Sequence, residues 1–256
     1  MDNQVQSFAV ANLRRRPVVV ETGGFVAGFD PDTDSPYLNY ATPLPGAEPT
    51  GRDVAALVAA FRERGLLPRL EFAPEAAPAV EPALRAAGFG TEAVHTYLVC
   101  TADTLALPRS AGSPRVERPT TDAEYAALDA ALAEAFGGVF APSAEGAARL
   151  RRTQLSGGAV RFVRAPQGGC AGGASCSPPA EGTAELFGVG TRPAYRGRGI
   201  AAAVTAALTG AMFAQGARSV WLEYSGEGSR RVYERVGYRP QGTRLYLTLH
   251  PQQPRP

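Results

Sequence analysis

Lysine is missing from this chain of 256 residues, and all 26 of its basic side chains are arginine. That excludes Schiff-base chemistry on a lysine, a pyridoxal phosphate lysine and the lysine of a Walker-type phosphate loop. Histidine is almost absent too: His95 and His250 lie far apart and read as surface or strand-end residues. The three cysteines, Cys100, Cys170 and Cys176, have neither a pairing pattern nor zinc-ligand spacing, so the expectation is reduced, inert thiols and no metal. No window reaches the roughly 18 apolar residues of a membrane span, and the opening MDNQVQSF lacks a basic-then-apolar leader pattern. A soluble, cytoplasmic protein without a membrane partner is expected. The formal charge is only +2. Short arginine clusters at Arg14–Arg16, at Arg149, Arg151 and Arg152, and at Arg230 and Arg231 make no long basic stripe, so no nucleic-acid partner is expected.

The length allows one large domain or two modest ones. Pro, Ser and Gly cluster in Leu107 to Pro114, LPRSAGSP, and we place a boundary there, giving 1–107 and 108–256. Behind it come a short strand at Arg115–Arg118, a helix over YAALDAALAEAF capped at Thr121, and a strand at Val160–Val163. CAGGASCS and Thr183–Val189, joined by PPAEG, read as a hairpin. An alanine-rich helix then runs to about Phe213, followed by strand Ser219–Tyr224, a short helix through Tyr233, and strand Thr243–Leu249. The end of the first half repeats this frame: helix VAALVAAFRERG, strand Leu70-Glu71-Phe72, helix VEPALRAAG, and a strand opening at Tyr97. Tyr97 follows Gly88 by nine residues, as Tyr246 follows Gly237. Two copies of one fold are expected. They differ at PLPGAEPTGRD against YRGRGIA, and at Leu84 against Tyr233.

The stretch YRGRGIAAAV, Tyr195 to Val204, sets a glycine turn between a strand and a helix. Successive backbone N–H groups at such a turn converge on an anion, the helix dipole favours negative charge there, and glycines admit close approach. Alone, the same letters fit a solvated surface turn or, less well, an RNA-binding Arg-Gly tract. The pattern G-x-G-x-x-G of a dinucleotide fold is not met.

Together with strand Trp221-Leu-Glu-Tyr224 and Tyr233-Glu-Arg-Val-Gly-Tyr238, this stretch closely resembles the acetyl-CoA-binding core of the GNAT (general N-acetyltransferase) superfamily. Arg196, Gly199 and Ala201 meet that family's pyrophosphate signature. The resemblance extends over roughly Arg115 to Leu249 and, through the repeat, weakly over the first half. It implies an α/β (α+β) chain of two tandem GNAT-like domains, each a mixed, mostly antiparallel sheet flanked by helices, with a degenerate first copy. It implies that the backbone of Val189, Gly190 and Thr191 pairs with pantetheine, and that Arg196, Gly197, Arg198, Gly199, Ile200, Ala201 and Ala202 hold the pyrophosphate. Tyr233 stands where the family keeps the general acid for the departing thiolate, and Glu185 where some members keep a general base. Glu223 is the competing carboxylate, and Trp221 reads as packing. The family's usual asparagine contact is replaced by SGEGSRR, where Ser225 or Ser229 can substitute. The expected reaction is direct acetyl transfer from acetyl-CoA to the amine of a small molecule or peptide, by a monomer or homodimer. The alternative is a silent acyl-CoA sensor. The Phe136-Gly-Gly-Val-Phe140 region and the first domain are expected to shape the acceptor cleft.

Overall fold

The computed structural model describes residues 1–107 and 113–250. In chain order the elements are α1 (Asp2–Leu13), β1 (Val18–Thr22), β2 (Phe25–Phe29), β3 (Tyr40–Pro43), α2 (Gly51–Arg62), β4 (Arg69–Phe72), α3 (Val80–Ala86), β5 (Gly90–Thr101) and β6 (Val116–Glu117). They continue with α4 (Asp122–Ala135), α5 (Ala144–Leu155), β7 (Ala159–Arg164), β8 (Cys170–Cys176), β9 (Thr183–Thr191), α6 (Ile200–Ala214), β10 (Ser219–Glu223), α7 (Glu227–Val236) and β11 (Arg239–Thr248). Two compact units result, one of Met1–Tyr97 with Gln241–Pro256, the other of Leu98–Pro240. The boundary read at Leu107–Pro114 falls largely on 108–112, outside the described residues.

The first unit is a sheet in the order β1-β2-β3-β4-β11-β5. β1 with β2, β2 with β3 and β4 with β11 pair antiparallel, while β3 and β4 run parallel, with Ala41 opposite Leu70. Leu70, Phe72, Leu245 and Leu247 turn into one core with Val54, Leu57 and Phe61 of α2 and Leu84 of α3. The alternate face carries charge at Arg69 and Glu71 of β4 and Arg244 of β11. Arg69 is 1% exposed, yet its guanidinium is held by Glu71 and Glu92, and Glu71 also takes Arg244. Burial of that cation is tolerable only because it is paired this closely. The network gives Glu71 a structural partner set, and β5 begins at Gly90 rather than at Tyr97, so that Glu92 near its start reaches Arg69. Tyr97 sits near the strand's end.

The second unit runs β5-β10-β9-β8-β7-β6, entered by the Leu98–Thr101 end of β5. Its strands are antiparallel from β9 outward, while β9 and β10 are parallel. Helix α6 supplies Ile200, Val204, Leu208 and Met212 to the core on one face, where Ala184, Leu186, Val220 and Leu222 meet it. Helix α4, started by a Thr121–Glu124 capping box, covers the other face with Leu128 and Leu132 over Val160 and Phe162. Trp221 is 1% exposed, so it packs. The final strand of each half thus contributes to the other unit: residues 241–248 complete the first sheet, and 98–101 the second.

Candidate functional site

Strands β9 and β10 part company early. Their register runs Ser219 with Thr183, Val220 with Ala184 and Trp221 with Glu185, and stops there while β9 continues to Thr191. The β10-facing edge of β9 from Leu186 onward therefore lacks a partner strand. On its other side β9 pairs with β8, where Phe187 faces Ser175 and Gly190 faces Gly173. Gly188 and Val189 stand opposite the single residue Ala174, a bulge in the strand, with Val189 packed at the edge of the core under α6. An extended ligand such as pantetheine fits an open strand edge, because the edge offers main-chain hydrogen bonds at a fixed spacing.

At the end of this edge the chain turns through Pro193–Tyr195 and enters α6. Gly197 and Gly199 hold φ of +76° and +75°, the left-handed region open to glycine. Gly199 is the helix cap, so α6 begins without a side-chain cap and without an acidic residue in its first turn. The first backbone donor into the helix is Ala203, to Gly199 O at 3.0 Å. Among the described residues no acceptor meets the N–H groups of Gly197, Arg198, Gly199, Ile200, Ala201 or Ala202. Orphan donors at a helix start demand solvent or a ligand, and the dipole there favours an anion. The donor set fits a pyrophosphate.

Both arginines bind main-chain carbonyls. Arg198 is exposed beside the turn, its Nη2 donating to Ala194 O at 3.3 Å and its guanidinium 5.3 Å from the Tyr195 ring centroid. Arg196 braces the turn: its Nε donates to Thr191 O at 3.3 Å and its Nη2 to Ala135 O, the last residue of α4, at 3.1 Å. Arg192 likewise reaches Glu134 at 2.6 Å. Gly190 lets α4 approach, since a Cβ there would sit 2.8 Å from Leu132 Cδ2 and 3.0 Å from Ala135 Cβ.

Tyr233 of α7 is 7% exposed, its ring edge-on to Tyr238 at 6.2 Å. Its hydroxyl has no hydrogen-bond partner among the described residues, and burial pushes the phenol up to about 12. Glu185 is half-buried at the last paired position of β9, where its own N–H donates to Ser177 Oγ at 2.9 Å and its carbonyl accepts from Ser177 N at 2.8 Å. Glu223 lies two residues beyond the corresponding point on β10. Both carboxylates thus stand where the strands separate. Ser225 O and Gly226 O accept from the Ser229 hydroxyl, at 2.7 and 2.9 Å. The cysteines are buried and burial raises all three thiols, Cys170 to about 11, so none is a ready thiolate.

The equivalent turn in the first unit is closed from within. Thr50 caps α2, and the Asp53 carboxylate accepts from Thr50 N at 2.8 Å and Thr50 Oγ1 at 2.6 Å. Leu84, opposite number to Tyr233, is fully buried in the core. Two features of the second unit escaped the sequence reading. Helix α5 was missed although Ser143 marks its cap, and Asp129 is buried to bind Ser143 N at 2.8 Å. The bulge at Gly188 has no sequence signal beyond the glycine itself.

Residues 126–238 match the family model of the Acetyltransferase (GNAT) family. No curated protein sequence matches the chain. Among solved structures, a GCN5-related N-acetyltransferase from Kribbella flavida is similar at 24% identity and a TM-score of 0.81, over 97% of this chain and 95% of that one. A GCN5-related N-acetyltransferase from Sphaerobacter thermophilus is similar at 17% identity and a TM-score of 0.61, over 88% and 76%. A tandem GNAT protein from the clavulanic acid biosynthesis pathway aligns at 13% identity and a TM-score of 0.62, over 98% and 88%. No helix among the described residues is long and apolar enough to cross a membrane. Residues 126–238 thus match the GNAT acetyltransferase family model, and the fold of the chain is the one seen in GNAT proteins, tandem ones among them.

Proposed function

We propose that the second unit is an N-acetyltransferase that moves an acetyl group from acetyl-CoA to the amine of a small molecule or peptide by direct transfer in a ternary complex. One observation carries the reading: an uncapped helix N-terminus with unmet N–H donors lies at the end of an unpaired strand edge. In this reading the N–H groups of Gly197 to Ala202 receive the pyrophosphate, and the main chain of Val189, Gly190 and Thr191 receives pantetheine and polarises the thioester carbonyl. Arg196 holds the turn in shape, and Arg198 adds charge.

An amine with a pKa near 10.4 is about 0.1% neutral near pH 7, so attack requires that a proton be taken away. Glu185 takes it, directly or through water, with Glu223 the other carboxylate in reach of that role. The neutral nitrogen forms its bond to the carbonyl carbon, the C–S bond breaks, and Tyr233 returns a proton to the leaving sulfur. Burial keeps that phenol protonated at neutral pH, which is the state an acid needs. The raised thiols of the cysteines favour direct transfer over a covalent acyl-enzyme. The first half, 1–107, serves as a degenerate copy, its own helix start filled by Asp53.

Coenzyme A release over a panel of amines tests this, with Glu185→Gln and Tyr233→Phe as variants. Acceleration by at least one amine, lost in the variants, supports transfer. Binding of acetyl-CoA with no amine accelerating release would leave a silent acyl-CoA-binding module instead.

A further inference from the structure

The face of β9 that carries Glu185 also presents exposed apolar side chains. Leu186 and Ala184 point into the α6 core, so Glu185 and Phe187 occupy the opposite face of β9. Helix α4 covers that same face further along, over Gly190 and Gly173, and ends at Ala135. The Phe136 ring then lies against Gly190, 3.5 Å from the position of a Cβ there. Phe140 is tilted beside it, with centroids 6.2 Å apart. Phe136 and Phe140 are each 42% exposed, Val139 79% and Phe187 40%. Phe136 and Phe140 form an exposed aromatic pair against the same face of β9 that carries Phe187. Opposite Phe187 on β8, Ser175 is 1% exposed and its hydroxyl has no partner among the described residues.

The segment between α4 and α5, FGGVFAPS, contains no charged residue. It is also held at its far end: Asp129, 6% exposed, binds Ser143 N, and a Cβ on Gly146 would lie 2.3 Å from Asp129 Oδ1. The nearby carboxylates are committed, Asp129 to that main chain, Glu134 to Arg192 and Glu145 to Arg152. A polyamine or other multiply charged acceptor needs several carboxylates to replace its hydration, and beyond Glu185 and Glu223 at the strand opening the segment after α4 supplies none. An aromatic or aliphatic group beside a single amine gains contact with Phe136, Phe140 and Phe187 and loses only its apolar hydration.

We propose that the acceptor is a monoamine carrying an aromatic-sized apolar group, which packs on Phe136, Phe140 and Phe187 while its nitrogen lies toward Glu185. This rests on the acyl-CoA reading above, and the two are tested on separate readouts. With the full chain and saturating acetyl-CoA, coenzyme A release is measured with phenethylamine and with spermidine, while calorimetry follows acetyl-CoA binding alone. The expected result is a kcat/KM for phenethylamine at least about tenfold above that for spermidine, and an increase of about tenfold in the phenethylamine KM in Phe140→Ala with acetyl-CoA affinity unchanged. Phe187→Ala gives the same shift from the β9 side. Preference for spermidine, no response to phenethylamine while acetyl-CoA binds, or an equal loss for both amines in Phe140→Ala overturns the proposal. Failure of acetyl-CoA to bind overturns the acyl-CoA reading and this one with it.

Discussion

Replacing Tyr233 with phenylalanine deletes one oxygen from a ring that is 7% exposed, and the structure separates the effect on folding from the effect on rate. The hydroxyl has no hydrogen-bond partner among the described residues, and the only force on its proton is burial. Removing it breaks no protein hydrogen bond, so the cost in stability stays below about 1 kcal/mol. The rate is another matter. With the phenol pushed up to about 12, five units above pH 7, only about one molecule in 10⁵ has lost the proton, and the acid is fully loaded. Loss of a positioned general acid lowers rates by about 10²–10⁴. A thiol with a pKa of about 8.5 is a fair leaving group unaided, which places the expectation near 10² in kcat. The assay is coenzyme A release at saturating acetyl-CoA and amine, with calorimetric binding and a thermal melt on the same preparation. An unchanged kcat, or an acetyl-CoA affinity that falls as far as kcat does, would refute the role given to Tyr233.

Other consequences are as open to measurement. Calorimetry with acetyl-CoA should give one site per chain, because Asp53 already occupies the α2 start in the first unit; two sites would contradict that comparison. Gly237→Ala should destabilise by more than about 2 kcal/mol in denaturant melts, since φ is +106° and a Cβ would lie 1.9 Å from Thr104 O. Gly216→Ala, at φ +89° with nothing within 4 Å, should cost only the backbone term of about 1–2 kcal/mol. Glu124 is held down to about 2 by the main-chain N–H groups of Thr120 and Thr121 and by Arg164. Its folded pKa is depressed from 4.5, so its contribution is present above that value and fades as pH falls toward 2. Melting temperature should drop across that window, and Glu124→Gln should flatten the drop.

Local chemistry was the most legible part of the chain. Thr121 with Glu124, the alanine-rich run after Gly199, the hairpin of β8 and β9 and the packing of Trp221 all follow from short-range rules, and the structure has them. The repeat in glycine and tyrosine spacing led to an expectation of two copies of one fold, and the strands contain two parallel pairs, β3 with β4 and β9 with β10. What periodicity does not encode is partnership. Nothing in the sequence of β11 says that Leu245–Thr248 pairs with β4 of the first half, because apolar alternation specifies a face and not a neighbour. The start of β5 was hidden for a related reason: Thr91, Glu92 and Val94 are exposed, so no apolar alternation marks the strand there, and Glu92 meets Arg69 instead. At the site, the residue types at the α6 start were readable, whereas the bond that Arg196 makes to the end of α4 was not. It depends on where α4 ends, and Ala135 comes to Arg196 only in the folded chain.

The central claim is that the α6 start holds the pyrophosphate of acetyl-CoA, and a single substitution tests it. Ala201→Glu puts a carboxylate in the first turn of α6, where the dipole stabilises it by about 0.3–1 kcal/mol, so the fold should survive or gain slightly. That carboxylate competes with the pyrophosphate for the same N–H donors, as Asp53 engages the cap of α2. Calorimetry should show wild-type protein binding acetyl-CoA far more tightly than acetyl-pantetheine, which lacks the pyrophosphate, and Ala201→Glu erasing that difference. Equal affinity of the wild-type protein for both compounds, or tight acetyl-CoA binding retained in Ala201→Glu, would contradict the account.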